Sequence, residues 1–221
     1  MNDSLQVGWK WKEVDDESFW RIPNGEVMAL IYYLGKDPSK IVYDLGCGLG
    51  RHTVYFAAQG YQVYASDISA VAVKETKAWL AAEGLSAVVE QGKMTTIKQP
   101  SETFDLVVSF NVIYHAYKKN IEKAITEIYR ILKPGGLFFG TFLSKNPDSP
   151  FRSPEVAPQT IIKYGGVEDG IPHFISTKKD VLTFLKDFEF LYLNCNEYFS
   201  PSQLHDEHGS IHYHFLVQKS E

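Results

Sequence analysis

Apolar residues recur along the chain in two rhythms. Val27, Leu30, Ile31 and Leu34 stand at helical spacing and predict a helix over Asn24 to Leu34, with Pro23 in a first-turn position. Short apolar runs at Ile41 to Leu45, Tyr61 to Ser66, Ala87 to Gln91 and Phe104 to Phe110 predict strands. Between and after them, helices fit Arg51 to Gln59, Ala70 to Ala82 and Lys119 to Leu132, with Ser69 placed to cap the second. Thr177 and Asp180 have the spacing of a capping box opening a helix over Lys178 to Leu185. Two late β-rich segments, Phe188 to Phe199 and Ile211 to Lys219, close the chain. This alternation predicts an α/β domain whose sheet is covered by helices. One stretch, Ser144 to Ser176, departs from it: Pro147, Pro150, Pro154, Pro158 and Pro172 interrupt any long helix or ladder.

With 221 residues the chain can bury a substantial core in one domain, and its 44% hydrophobic residues include no run long enough for a membrane helix. Met1 to Asp16 is polar and lacks the apolar region of a signal peptide, so cytoplasm is the expected compartment. Two cysteines, Cys47 and Cys195, make no disulfide framework. A net charge of -5 argues against broad adhesion to nucleic acid, and Lys118, Lys119 and Lys123 read as a solvated helix face.

The chemistry concentrates at Ile41 to Arg51. An apolar strand runs into Asp44 and then into Gly46-x-Gly48-x-Gly50, a turn that lets backbone approach a ligand closely. The spacing is not the G-x-G-x-x-G of nicotinamide cofactors. An acid two places before the first glycine would repel a phosphate but suits the α-ammonium of an amino-acid ligand. The bland alternative is a tight strand-to-helix turn. Cys47 reads as a small residue filling that turn. At Asp67, about 20 residues beyond the first glycine, a carboxylate can accept ribose hydroxyl hydrogen bonds.

Asp44-Leu-Gly-Cys-Gly-Leu-Gly50 resembles the first motif of the class I S-adenosylmethionine (SAM) dependent methyltransferases, and four later landmarks follow in that family's order. The resemblance covers Ile41 to Leu143. It implies a Rossmann-like seven-stranded mixed sheet with the last strand antiparallel, helices on both faces, and SAM as cofactor. On it, Gly46, Cys47 and Gly48 cradle the cofactor, Asp67 holds the ribose, and Ile68 covers one adenine face. Gly92-Lys93-Met94 occupies the adenine-amino position; Lys93 departs from the family's usual acid and cannot accept a hydrogen bond. Asn111 and Val112 lie beneath the methionine part, and Leu132-Lys-Pro-Gly-Gly136 is the turn into the fifth strand.

The ends of the chain supply covers. Trp9, Trp11, Phe19 and Trp20 place aromatic surface before the core, making residues 1–35 an N-terminal cover, and residues 144–176 read as a lid-like insertion; packing into the core and an uninvolved surface loop are the alternatives. Arg21 offers a fork for the cofactor's carboxylate, and its segment resembles the lead into the first helix of bacterial tellurite-resistance methyltransferases. The same resemblance places His205 in the acceptor pocket, with His212 and His214 where that family has arginines. His115, just beyond the fourth strand, is the leading candidate to take an acceptor proton, with His205 and His214 as alternatives. His212 and His214 share a strand face, but two residues do not make a zinc site, and no metal is assigned. The expected function is methyl transfer from SAM to a small molecule; an RNA methyltransferase and a non-catalytic SAM-binding protein are the competing readings.

Overall fold

A computed structural model describes residues 8–14, 17–145, 154–198 and 209–221, apart from the side chains of residues 17, 18 and 198. A 3-10 turn at Trp11–Glu13 and short helices α1 (Glu17–Arg21), α2 (Gly25–Ala29) and α3 (Ile31–Leu34) precede the sheet. The helix expected over Asn24 to Leu34 is therefore two pieces, meeting where the Leu30 amide bonds Val27 rather than continuing the α ladder. Asn24 is its cap, its side chain accepting from the amides of Glu26 and Val27, so Pro23 lies outside the first turn.

The chain then alternates: β1 (Ile41–Leu45), α4 (Arg51–Ala58), β2 (Gln62–Asp67), α5 (Ala70–Ala82), β3 (Val88–Gln91), β4 (Phe104–Ser109), α6 (Lys118–Ile131) and β5 (Leu132–Ser144). After the insertion come α7 (Lys178–Phe184) and the two long strands Phe188–Tyr198 and Ser210–Lys219. Ser69 caps α5, accepting from the Ala72 amide, and Thr177 with Asp180 forms the expected capping box. A seven-stranded sheet results, ordered β3, β2, β1, β4, β5, then the last strand and finally Phe188–Tyr198. The first five strands are parallel; the last strand runs antiparallel to both of its neighbours. The fold class is the one the sequence predicts.

Alternation along the strands feeds two cores. Tyr43, Leu45, Val107, Phe138 and Phe215 pack with Ile121, Ile125 and Ile128 of α6 on one face. Val42, Leu106, Val108, Phe139 and Leu216 pack with Val27, Leu30 and Phe56 on the other. A sheet buried on both faces needs such near-continuous apolar runs.

The insertion is not without ladders. Strands β6 (Glu155–Ala157), β7 (Thr160–Ile162) and β8 (Pro172–Phe174) form a small antiparallel sheet. Pro172 is tolerated because it opens an edge strand, where its missing N–H leaves no ladder bond unmade. The long strands Phe188–Tyr198 and Ser210–Lys219 are β9 and β10 in chain order.

Candidate functional site

Strand order reverses between β1 and β4, and at such a switch point the carboxyl ends of the strands leave a crevice. The glycine turn lines it. Gly46, Gly48 and Gly50 all have left-handed φ, at 78°, 55° and 92°. A Cβ at Gly46 would come within 2.4 Å of the Val112 side chain, and one at Gly48 within 2.7 Å of the Trp11 ring. The turn is fixed from both sides. The Gly46 and Cys47 amides donate to the Ser66 carbonyl, the Gly48 amide donates to Asp67, and the Thr76 hydroxyl of α5 donates to the Gly48 carbonyl at 2.9 Å. Burial, with Asp67 and Asp44 nearby, pushes the Cys47 thiol well above its ordinary value, so it stays a packing group.

The two acids expected at the cofactor differ in placement. Asp67 lines the cavity; one carboxylate oxygen accepts from the Gly48 amide at 2.9 Å and the other from the Ser69 amide at 2.8 Å. Asp44 does not line it. Its carboxylate is buried behind the turn, accepts from the Thr53 hydroxyl at 2.6 Å, and is raised to about 6 by burial against the opposing pull of Thr53 and Arg51.

Gly46, Cys47, Gly48, Asp67, Ile68, Met94, Asn111, Val112 and His115 all reach the cavity. Arg21 and Lys93 do not: Arg21 stands 3.7 Å from Glu75 and over the Trp79 ring, and Lys93 is exposed. The arginine that lines the cavity is Arg51, whose guanidinium lies over the rings of Trp20 and Phe110. Asn111 has φ 57°, rare for a residue with a side chain. Its amide donates to Thr141 Oγ1, whose hydroxyl in turn donates to Asn111 Oδ1, and this pair of bonds holds the conformation. Trp9, Trp11 and Trp20 contribute to the wall, their rings in mutual contact at 4.9 to 6.0 Å.

Of the histidines expected at the acceptor end, His115 lines the cavity and His214 does not. His214 is turned to Glu26, Nδ1 to Oε2 at 2.8 Å, and His205 lies outside the described residues. His212 Nε2 sits 3.2 Å from the Tyr114 hydroxyl, away from the Glu26 contact of His214, so the two neighbours do not converge. Burial lowers His115 to about 4, although Glu168 pulls the other way.

Glu168 and His173 are the residues sequence reading missed. Glu168 Oε1 is 3.3 Å from both His115 Nε2 and His173 Nε2. The Phe174 amide donates to the Tyr114 carbonyl at 2.8 Å, which ties β8 to the loop after β4 and brings His173 beside His115. Burial would raise Glu168, but His115, His173 and Lys163 outweigh it and hold the carboxyl well below the usual range. Both residues sit in the insertion, where no periodicity marks a face; a glutamate five residues before a histidine was the only signal.

Residues 42–136 match a family model described as a methyltransferase domain. A sterol 24-C-methyltransferase of Gibberella zeae is 33% identical over 127 residues, 55% of this chain and 32% of that protein. The chain spans 32%, 38% and 48% of the lengths of three curated relatives it matches. TehB from Haemophilus influenzae superposes with a TM-score of 0.68 at 19% identity, over 90% of this chain and 63% of that one. A 1,6-didemethyltoxoflavin-N1-methyltransferase of Burkholderia thailandensis, solved with S-adenosylhomocysteine, superposes with a TM-score of 0.68 at 17% identity, over 93% and 82%. Motif and fold agree with the family match: residues 42–136 are similar to a methyltransferase domain, within a fold shared with SAM-dependent methyltransferases.

Proposed function

We propose that the protein transfers the methyl group of SAM to a small molecule, and the observation that carries this reading is the cavity itself. It lies at the switch point and is lined at once by the glycine turn, the Asp67 carboxylate and a wall of tryptophans. In this reading Asp67 takes the ribose hydroxyls, Ile68 and Met94 hold the adenine faces, and the backbone of Gly46 to Gly48 borders the methionine part. Asn111 and Val112 form the floor. Arg51, rather than Arg21, offers a fork to the carboxylate. The adenine amino group is left to backbone, since Lys93 is outside the cavity.

Displacement at a sulfonium has a good leaving group, so the protein's contribution is alignment and exclusion of water. Trp9, Trp11 and Trp20 supply the cover, and His115 marks the acceptor end. A net charge of -5 favours a small acceptor over a nucleic acid.

Incubation with methyl-labelled SAM and a fractionated metabolite extract tests this. S-adenosylhomocysteine and a labelled small product are expected. SAM binding without turnover on any fraction would leave a binding protein, and label recovered in RNA would move the acceptor to nucleic acid.

A further inference from the structure

His115, Glu168 and His173 each offer one ligating atom, and these atoms all lie within 4.8 Å of one another. His173 is fully buried, and its Nδ1 is 2.9 Å from the Ile171 carbonyl oxygen. A carbonyl only accepts, so Nδ1 carries a proton and Nε2 is the nitrogen left to ligate. That nitrogen and His115 Nε2 both face Glu168 Oε1 at 3.3 Å. Neither imidazole nitrogen makes an aligned hydrogen bond, although both are buried. Three such groups converging in one buried space cost free energy unless a proton or a metal ion lies between them.

We infer that His115, Glu168 and His173 form a divalent-metal site. The spacing fits. Bonds of about 2.0 to 2.1 Å in a tetrahedral site set donor atoms about 3.3 Å apart, and both nitrogen-to-oxygen separations are 3.3 Å. The outer groups fit as well. Metal-bound histidines generally give their second N–H to a carbonyl or carboxylate, as His173 gives its own to Ile171, and Lys163 bonds the other oxygen of Glu168. Two imidazoles and one carboxylate suit zinc or another first-row divalent ion and not magnesium or calcium, which take oxygen ligands.

Three protein ligands leave a fourth position open, and His115 and Ile171 border the cavity while His173 is sealed behind them. Resting on the methyl-transfer reading, this position takes the acceptor atom, which assigns the acceptor to hydroxyl or thiol compounds. On coordination the acceptor loses its proton to water. Its oxygen or sulfur lone pair then forms the bond to the methyl carbon, the carbon–sulfur bond of SAM breaks with its pair going to sulfur, and the metal keeps its oxidation state.

Chelator-stripped protein titrated with Co2+, followed by visible absorption and by Zn2+ competition, tests the site with neither SAM nor acceptor present. One equivalent should bind with a tetrahedral spectrum, and Glu168→Gln and His115→Asn should each weaken it at least tenfold. Because His173 is in the interior, Glu168→Gln carries the test, with unchanged melting as evidence of folding. No uptake by the parent, or uptake undiminished in both variants, overturns the site. Turnover is read separately as S-adenosylhomocysteine formed. Metal uptake without turnover would sink methyl transfer and leave the site standing, whereas turnover indifferent to stripping would remove the metal from the acceptor's path.

Discussion

Asp44 and Asp67 stand on adjacent parallel strands yet face different tasks. Asp67 has both oxygens anchored by backbone amides, so its position is set before any ligand arrives. Asp67→Asn should weaken SAM binding by about 10- to 100-fold through lost charge-assisted bonds of about 1.5 to 3 kcal/mol; calorimetry at equal affinity would refute the ribose assignment. Asp44 is different because it is buried and raised to about 6. Its folded value lies above the unfolded one, so its contribution to stability is present at low pH and lost as pH rises through about 6. A cofactor ammonium beyond the turn favours the ionised form across a poorly screened interior. SAM affinity should therefore rise from pH 5 to 7, with proton release near pH 6 detectable as a buffer-dependent binding heat. Asp44→Asn, which can still accept from Thr53, should flatten that profile, weaken SAM at pH 7.5 and leave the free protein no less stable. A profile unchanged by the substitution would separate Asp44 from the ligand. The sequence made both acids legible by spacing from the glycines, but it could not tell that a threonine nine residues on would turn one of them inward.

At the scale of elements, caps and glycines carry the testable content. Thr177→Ala removes an exposed capping hydroxyl from α7 and should cost about 1 kcal/mol of stability while leaving SAM affinity unchanged, read by denaturant titration and calorimetry together. Gly48→Ala should behave in the opposite way. Its Cβ would press on the Trp11 ring from a left-handed backbone, so SAM binding should fall sharply and Trp11→Ala in the same chain should recover the steric part but not the backbone part. Full additivity of the two substitutions would mean the ring does not rest on the turn. Elements with their own periodicity and caps, α5 above all, were legible almost to the residue. The pieces that were not legible take their shape from partners distant in sequence. The short helices before β1 are set by what they bury, and β6 to β8 pair across a proline-rich segment in which local propensity argues against strands. That is also why Arg21 was expected at the cofactor and Arg51 was not. A charge-bearing side chain at the right place in the order was visible, whereas the Glu75 and Trp79 that engage Arg21 belong to another helix.

Across the whole molecule, the sheet provides a fixed crevice and two chain segments remote in sequence meet over it. The Lys10 amide donates to the Val167 carbonyl at 2.9 Å, Lys10 Nζ reaches Asp169 at 3.0 Å, and the Trp9 ring lies 6.0 Å from that of His115. The ion pair is exposed and screened by water, so it contributes little; the backbone bond and the indole packing join the N-terminal cover to the insertion. A ligand that orders one should order the other, because each presents part of its surface to its partner and part to the cavity. Hydrogen exchange should then show residues 8–13 and 163–171 gaining protection together when SAM binds. Trp9→Ala should break the concert, leaving the glycine turn protected by SAM but residues 163–171 exchanging as in the free protein. Asp169→Ala should change neither segment by more than a few-fold. Protection confined to the glycine turn in the parent protein, with both covers unaffected by SAM, would show that they are independent walls and that cofactor binding does not shape the acceptor end.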